Sequence, residues 1–99
     1  MQRNLFRKYE QVEVSTTGPS SYAAGGFNVT VGRLRKIVKR PVVSCDGGYK
    51  AEVASVSDNV VTIVVKYYDY DAAADGTAIE VPDGTDLSGV NFEIKAEGY

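Results

Sequence analysis

Turn-forming clusters interrupt this chain at short intervals: Gly18-Pro19, Gly25-Gly26, Asp46-Gly47-Gly48, Asp58-Asn59, Asp75-Gly76, Asp83-Gly84 and Ser88-Gly89. The segments between them alternate apolar and polar residues with period two. Val12 and Val14 form one such pair, and Phe27, Val29 and Val31 form a second series. Val90, Phe92 and Ile94 alternate with Asn91, Glu93 and Lys95, the pattern of a half-buried strand. Twenty-five residues are Val, Ile or Thr, and 15 Val stand against 3 Leu, a bias toward strands over helices. Eight or so short strands are expected, closing into a single all-β antiparallel β-sandwich of jelly-roll-like character.

The centre of the chain reads as a hairpin. Residues 49–57 and 60–68 flank Asp58-Asn59, a pair that tolerates the positive φ of a tight turn. In the second arm Val61, Ile63, Val65 and Tyr67 share one face. The opposite face carries Val60, Thr62, Val64, Lys66 and Tyr68 and is also largely apolar. Such a strand is either central between two layers or covered by another subunit.

One segment departs from period two. Within residues 33–40, Leu34, Ile37 and Val38 fall at i, i+3 and i+4, one helical face, and Pro41 would stop a helix. At most a short helical turn is expected there, or a strand-like crossover burying the same side chains. Residues 1–8 lack turn or core logic and read as a basic N-terminal arm, ordered when something receives it. Residues 9–99 are the sandwich domain.

Ninety-nine residues make one domain with a modest core, since a fold of this size buries only ~60–65% of its unfolded surface. With no His, neither a Ser-His-Asp nor a Cys-His relay nor a His-ligated zinc can be built. A single Cys excludes an internal disulfide framework and a multi-Cys metal site. The reading is therefore non-enzymatic and without cofactor or metal. The longest nearly apolar run, residues 60–65, is far short of the ~20 residues a spanning helix needs, so no membrane partner is expected.

The net charge of −2 conceals an asymmetry: residues 1–40 hold 8 basic and 2 acidic residues, and residues 41–99 hold 3 and 11. A +6 half and a −8 half suggest docking through electrostatic complementarity. Arg3, Arg7, Lys8, Arg33, Arg35, Lys36, Lys39 and Arg40 are the basic candidates. Without interleaved aromatics to stack bases, this cluster fits an acidic protein surface better than nucleic acid. Tyr67, Tyr68 and Tyr70 join the candidate interface, because consecutive Tyr on a strand point to both faces and tyrosine suits interfaces.

The acidic stretch 69–76, followed by Glu80, partly matches a calcium loop. Asp69, Asp71 and Glu80 match positions 1, 3 and 12 of an EF-hand loop, but Ala73 and Ala74 occupy positions 5 and 6. The plainer reading is a solvated acidic turn. Cys45, without a His beside it, reads as a half-buried turn residue.

Three strings carry a resemblance: Gly18-Pro19-Ser20-Ser21-Tyr22-Ala23-Ala24-Gly25-Gly26-Phe27, Gly47-Gly48-Tyr49-Lys50-Ala51-Glu52-Val53, and residues 67–76. They resemble small virion structural proteins of tailed bacteriophages and archaeal viruses. The likeness implies a capsid decoration, cement or other minor capsid role, with an antiparallel sandwich fold and no catalysis. It further implies a homo-oligomer on the capsid surface, bound to the major capsid protein and assembled in the host cytoplasm. The charged 33–40 segment and Arg-rich start depart from that pattern. A receptor- or glycan-binding module on the virion, using residues 67–75, is the alternative, and a small nucleic-acid-associated protein is the third reading.

Overall fold

The computed structural model describes residues 9–68 and 78–99. Seven strands form among them: β1 (Glu10–Thr17), β2 (Phe27–Thr30), β3 (Ile37–Cys45), β4 (Lys50–Ser57), β5 (Val60–Tyr68), β6 (Ala78–Glu80) and β7 (Asn91–Gly98). The protein is an all-β antiparallel sandwich. One sheet has the order β1-β7-β3, the other β2-β5-β4 with β6 also on β5. One of the crossings between sheets, from β3 to β4, is the turn Asp46–Tyr49, where Asp46 accepts the backbone and side-chain N–H groups of Asn91 at 2.9 Å each.

The expected hairpin is β4–β5. Asp58 takes the positive φ its position demands, 53°. Val61, Ile63 and Val65 are fully buried, and Tyr67 packs on the core margin from the same face. The other face is the outer surface of the sheet, where Thr62 Oγ1 donates to Asn28 Oδ1 at 2.7 Å and Lys66 meets Glu52 at 3.0 Å. Strand β5 is thus central within its sheet. On β7, Phe92, Ile94 and Ala96 point inward, as the alternation requires. Phe92 meets Phe27 of the opposing sheet edge-to-face, ring centroids 5.1 Å apart, tying the layers together.

The 33–40 segment contains no helical turn; a turn spans Val31–Leu34, closed by Leu34 N–H donating to Val31 O at 3.1 Å, and β3 begins at Ile37. Leu34 and Ile37 are buried, but Val38 is 37% exposed. Strand alternation turns Val38 outward beside inward Ile37, and the register slip of β3 against β7 between Ile37 and Lys39 keeps Lys39 outward as well. Pro41 stops no helix. It lies buried within β3 at a second slip, between Lys39 and Val42. A bulged edge strand is where a sheet tolerates proline.

Strand β4 occupies one side of β5, so β2 and β6 share the other, opposite residues 60–63 and 66–68. Val65 falls in the gap between them. Its buried N–H donates to the Tyr22 hydroxyl at 3.2 Å, and that hydroxyl donates to Glu80 Oε2 at 2.7 Å. The Gly25 N–H also donates to Glu80 Oε2, at 2.8 Å. Tyr22 is 1% exposed and completes the ladder where the backbone cannot. Burial and the neighbouring Glu80 carboxylate push its hydroxyl pKa up to about 12. Gly26 is obligatory beside it: φ is 109°, and any Cβ would strike the Ile63 carbonyl.

Candidate docking surface

Register sorts the charge of the chain into two ends. Glu10, Ile37 and Gly98 lie level with one another, and the Asp58 carbonyl accepts the Ile37 N–H at 2.8 Å. This end bears Arg33, Arg35 and Lys36. Thr17, Cys45 and Asn91 mark the other end, a strand length of roughly 25 Å away. There stand Asp46, Glu80, Asp83 and Asp86, with Lys50 and Lys66 level with Glu80.

The basic turn is rigidly held. Leu34 is buried beneath it, and Asn59 Nδ2 donates to the carbonyls of Leu34 at 2.8 Å and Val31 at 3.4 Å. The N–H groups of Arg35 and Lys36 both donate to the Tyr99 main-chain oxygen, at 2.6 and 3.0 Å, and Tyr99 N–H returns a bond to Lys36 O at 3.0 Å. Gly98 permits this approach, since any side chain there would collide with the Lys36 carbonyl. Arg33 reaches Glu10 at 2.6 Å, leaving Arg35 and Lys36 without an acidic partner among the described residues.

Next to them stand two exposed rings. Tyr9 and Tyr99 stack with centroids 6.3 Å apart and planes inclined by 24°. Sequence reasoning missed both, because they lie at opposite extremes of the chain and only the β1–β7 pairing joins them. Aromatics thus do accompany the basic cluster, contrary to the linear reading.

The other candidates scatter. Lys39 pairs with Glu97 at 3.5 Å on the outer face of the first sheet. Arg40 reaches across the seam and donates to Val53 O at 3.2 Å. Tyr67 belongs to the core margin and does not join the basic end. Arg3, Arg7, Lys8, Tyr70 and the side chain of Tyr68 lie outside the described residues, as does the acidic stretch 69–76.

At the opposite end the carboxylates are organised by hydrogen bonds. Asp83 accepts the Ala24 N–H at 2.6 Å, and Asp86 accepts the Ser88 N–H at 2.9 Å and its hydroxyl at 2.6 Å. Hydrogen bonds from Asn91 to Asp46, from Gly25 and Tyr22 to Glu80, and from Ser88 to Asp86 hold these carboxyls below their ordinary pKa values. All three are ionised at neutral pH. Cys45 is half-buried and donates to Tyr49 O at 3.3 Å; burial, then the Asp46 charge, pushes its thiol pKa up. Among the described residues no three His, Cys, Asp or Glu side chains gather as a metal cage.

No family model, no curated protein and no solved structure matches this chain. What the fold and surface define is an all-β sandwich with charges of opposite sign at its two ends.

Proposed function

We propose that this chain is a non-enzymatic structural protein of a virion, which binds the capsid lattice and reinforces or decorates the shell. The observation that carries the reading is the basic end: Arg35 and Lys36, without an acidic partner among the described residues, beside the exposed Tyr9–Tyr99 pair, on a turn clamped by Asn59 and Tyr99. A preorganised turn loses little conformational entropy on docking, and tyrosine and arginine are both enriched at protein interfaces. The major capsid protein is the partner proposed, met through an acidic surface. The likeness of residues 18–27, 47–53 and 67–76 to small virion proteins supports the same reading.

The test is cosedimentation with purified capsids that lack this protein. Binding is expected for the parent chain and lost for Arg35→Glu/Lys36→Glu, with thermal unfolding of that variant unchanged. Copy number in intact particles completes it: parity with the major shell protein means lattice decoration, and absence from purified particles sinks the proposal. The tyrosine pair beside two cations also favours a second reading, a single-strand nucleic-acid site. Retention of an oligonucleotide at low salt, with steep loss as salt rises, supports that reading instead.

A further inference from the structure

A sheet edge offers unpaired N–H and C=O groups to any neighbouring strand, and folded proteins blunt such edges. Among the described residues the two sheets have four lateral edges, and three of them are blunted. Strand β3 has two register slips and Pro41. Strand β4 has a slip between Val53 and Ser55, and Arg40 already occupies the Val53 carbonyl. The β2/β6 edge is two short pieces with the Tyr22 hydroxyl between them.

Strand β1 has none of these devices. Its eight residues pair with β7 in unbroken register from Glu10↔Gly98 to Thr17↔Asn91, and contain neither Pro nor Gly. Among the described residues nothing pairs with its other side.

We propose that β1 is a self-pairing edge, and that its occupant is β1 of a second copy, antiparallel about a two-fold axis. The faces select the direction. A two-fold axis that made two β1 strands parallel would turn one sheet over and set its inward face against the outward face of the other, whereas antiparallel pairing keeps like faces together. Arg33 is already paired with Glu10 at the start of β1, and at its end the Gly18 N–H donates to Leu87 O at 3.1 Å.

Side-chain alternation then selects the register. Val12, Val14 and Thr16 point inward, whereas Gln11, Glu13, Ser15 and Thr17 point outward. Like faces must coincide, so the axis passes through a residue. An axis at Glu13 would oppose two carboxylates. An axis at Val12 or Ser15 would shorten the overlap. Centred on Val14, the pairing sets Val14 against Val14, Val12 against Thr16, Gln11 against Thr17 and Glu13 against Ser15 of the second copy, with no like charges opposed.

Sedimentation velocity over a concentration series tests this directly. The parent chain is expected to shift from monomer to dimer with concentration. Ser15→Glu, which places a carboxylate opposite Glu13 of the other copy twice per dimer, weakens dimerisation by roughly 2- to 30-fold. Ser15→Lys strengthens it by a similar factor. Thermal unfolding of dilute, monomeric samples shows whether either variant has lost the fold. A parent chain that stays monomeric throughout overturns the proposal, as does a dimer that responds to neither substitution or to both in the same direction. Because capsid cosedimentation is measured separately, a monomer that still binds capsids overturns this inference and leaves the capsid reading standing.

Discussion

Replacing Tyr22 with Phe removes one oxygen and leaves the ring in place, so the effect isolates the hydroxyl at the gap between β2 and β6. Two bonds disappear: the one received from Val65 N–H at 3.2 Å and the one given to Glu80 Oε2 at 2.7 Å. They differ in consequence. Glu80 is accessible to water and keeps the Gly25 N–H, so its loss is replaced by hydration. Val65 is 0% exposed, and its N–H would have no partner. An orphaned buried donor costs about 1–3 kcal/mol, which at roughly 4–8 °C per kcal/mol lowers Tm by about 5–20 °C for a domain of this size. Urea titration followed by circular dichroism reads the change as a shifted midpoint with an unaltered slope. A shift under about 0.5 kcal/mol would refute the reasoning, because it would mean that Val65 N–H does not depend on the phenol.

The same variant has a pH signature. In the folded chain the Glu80 carboxyl lies below its ordinary 4.5, first through Gly25 N–H and then through the Tyr22 hydroxyl. A depressed folded value means that its stabilisation is complete above the unfolded pKa and is lost as pH falls through the folded one. Tyr22→Phe is therefore expected to flatten the acid limb of the stability curve. Tyr22 acts in the opposite direction. Its folded pKa of about 12 exceeds the ordinary 10, so the parent chain loses this contribution as pH rises from 10 toward 12, and the variant does not.

Gly98→Ala forces a methyl group against the Lys36 carbonyl and parts the strand end from the basic turn. A loss of about 2 kcal/mol or more is expected in urea titration, with weakened capsid binding even though no charge has changed. Cys45, half-buried with a raised thiol pKa, should be alkylated by iodoacetamide at pH 8 several-fold more slowly in folded than in urea-unfolded protein, as mass spectrometry would show. Equal rates would contradict its placement beneath the turn.

The hairpin and the inward faces of β5 and β7 were legible because period-two alternation is local: each side chain declares its own face. The turn Asp58-Asn59 was legible for the same reason. The segment 33–40 was misread because Leu34, Ile37 and Val38 satisfy a helical spacing that two other events produce together. A tight turn buries Leu34, and strand alternation turns Val38 outward beside buried Ile37. The string 18–27 stood out as a string but had no chemical logic until Tyr22 was seen standing in for a missing strand. Nothing near Tyr22 in sequence announces the Val65 N–H, 43 residues away, that needs it.

By itself, then, the sequence determined the fold class, the central hairpin, the lack of a His- or disulfide-based chemistry, and an uneven distribution of charge. Those follow from residue type and local spacing. Only the tertiary structure decided which charges share an end, which are already paired, that Tyr9 and Tyr99 meet, and that β1 keeps an open edge. The physical reason is that these depend on register between strands far apart in the chain, and register is set by the packing of the whole sandwich.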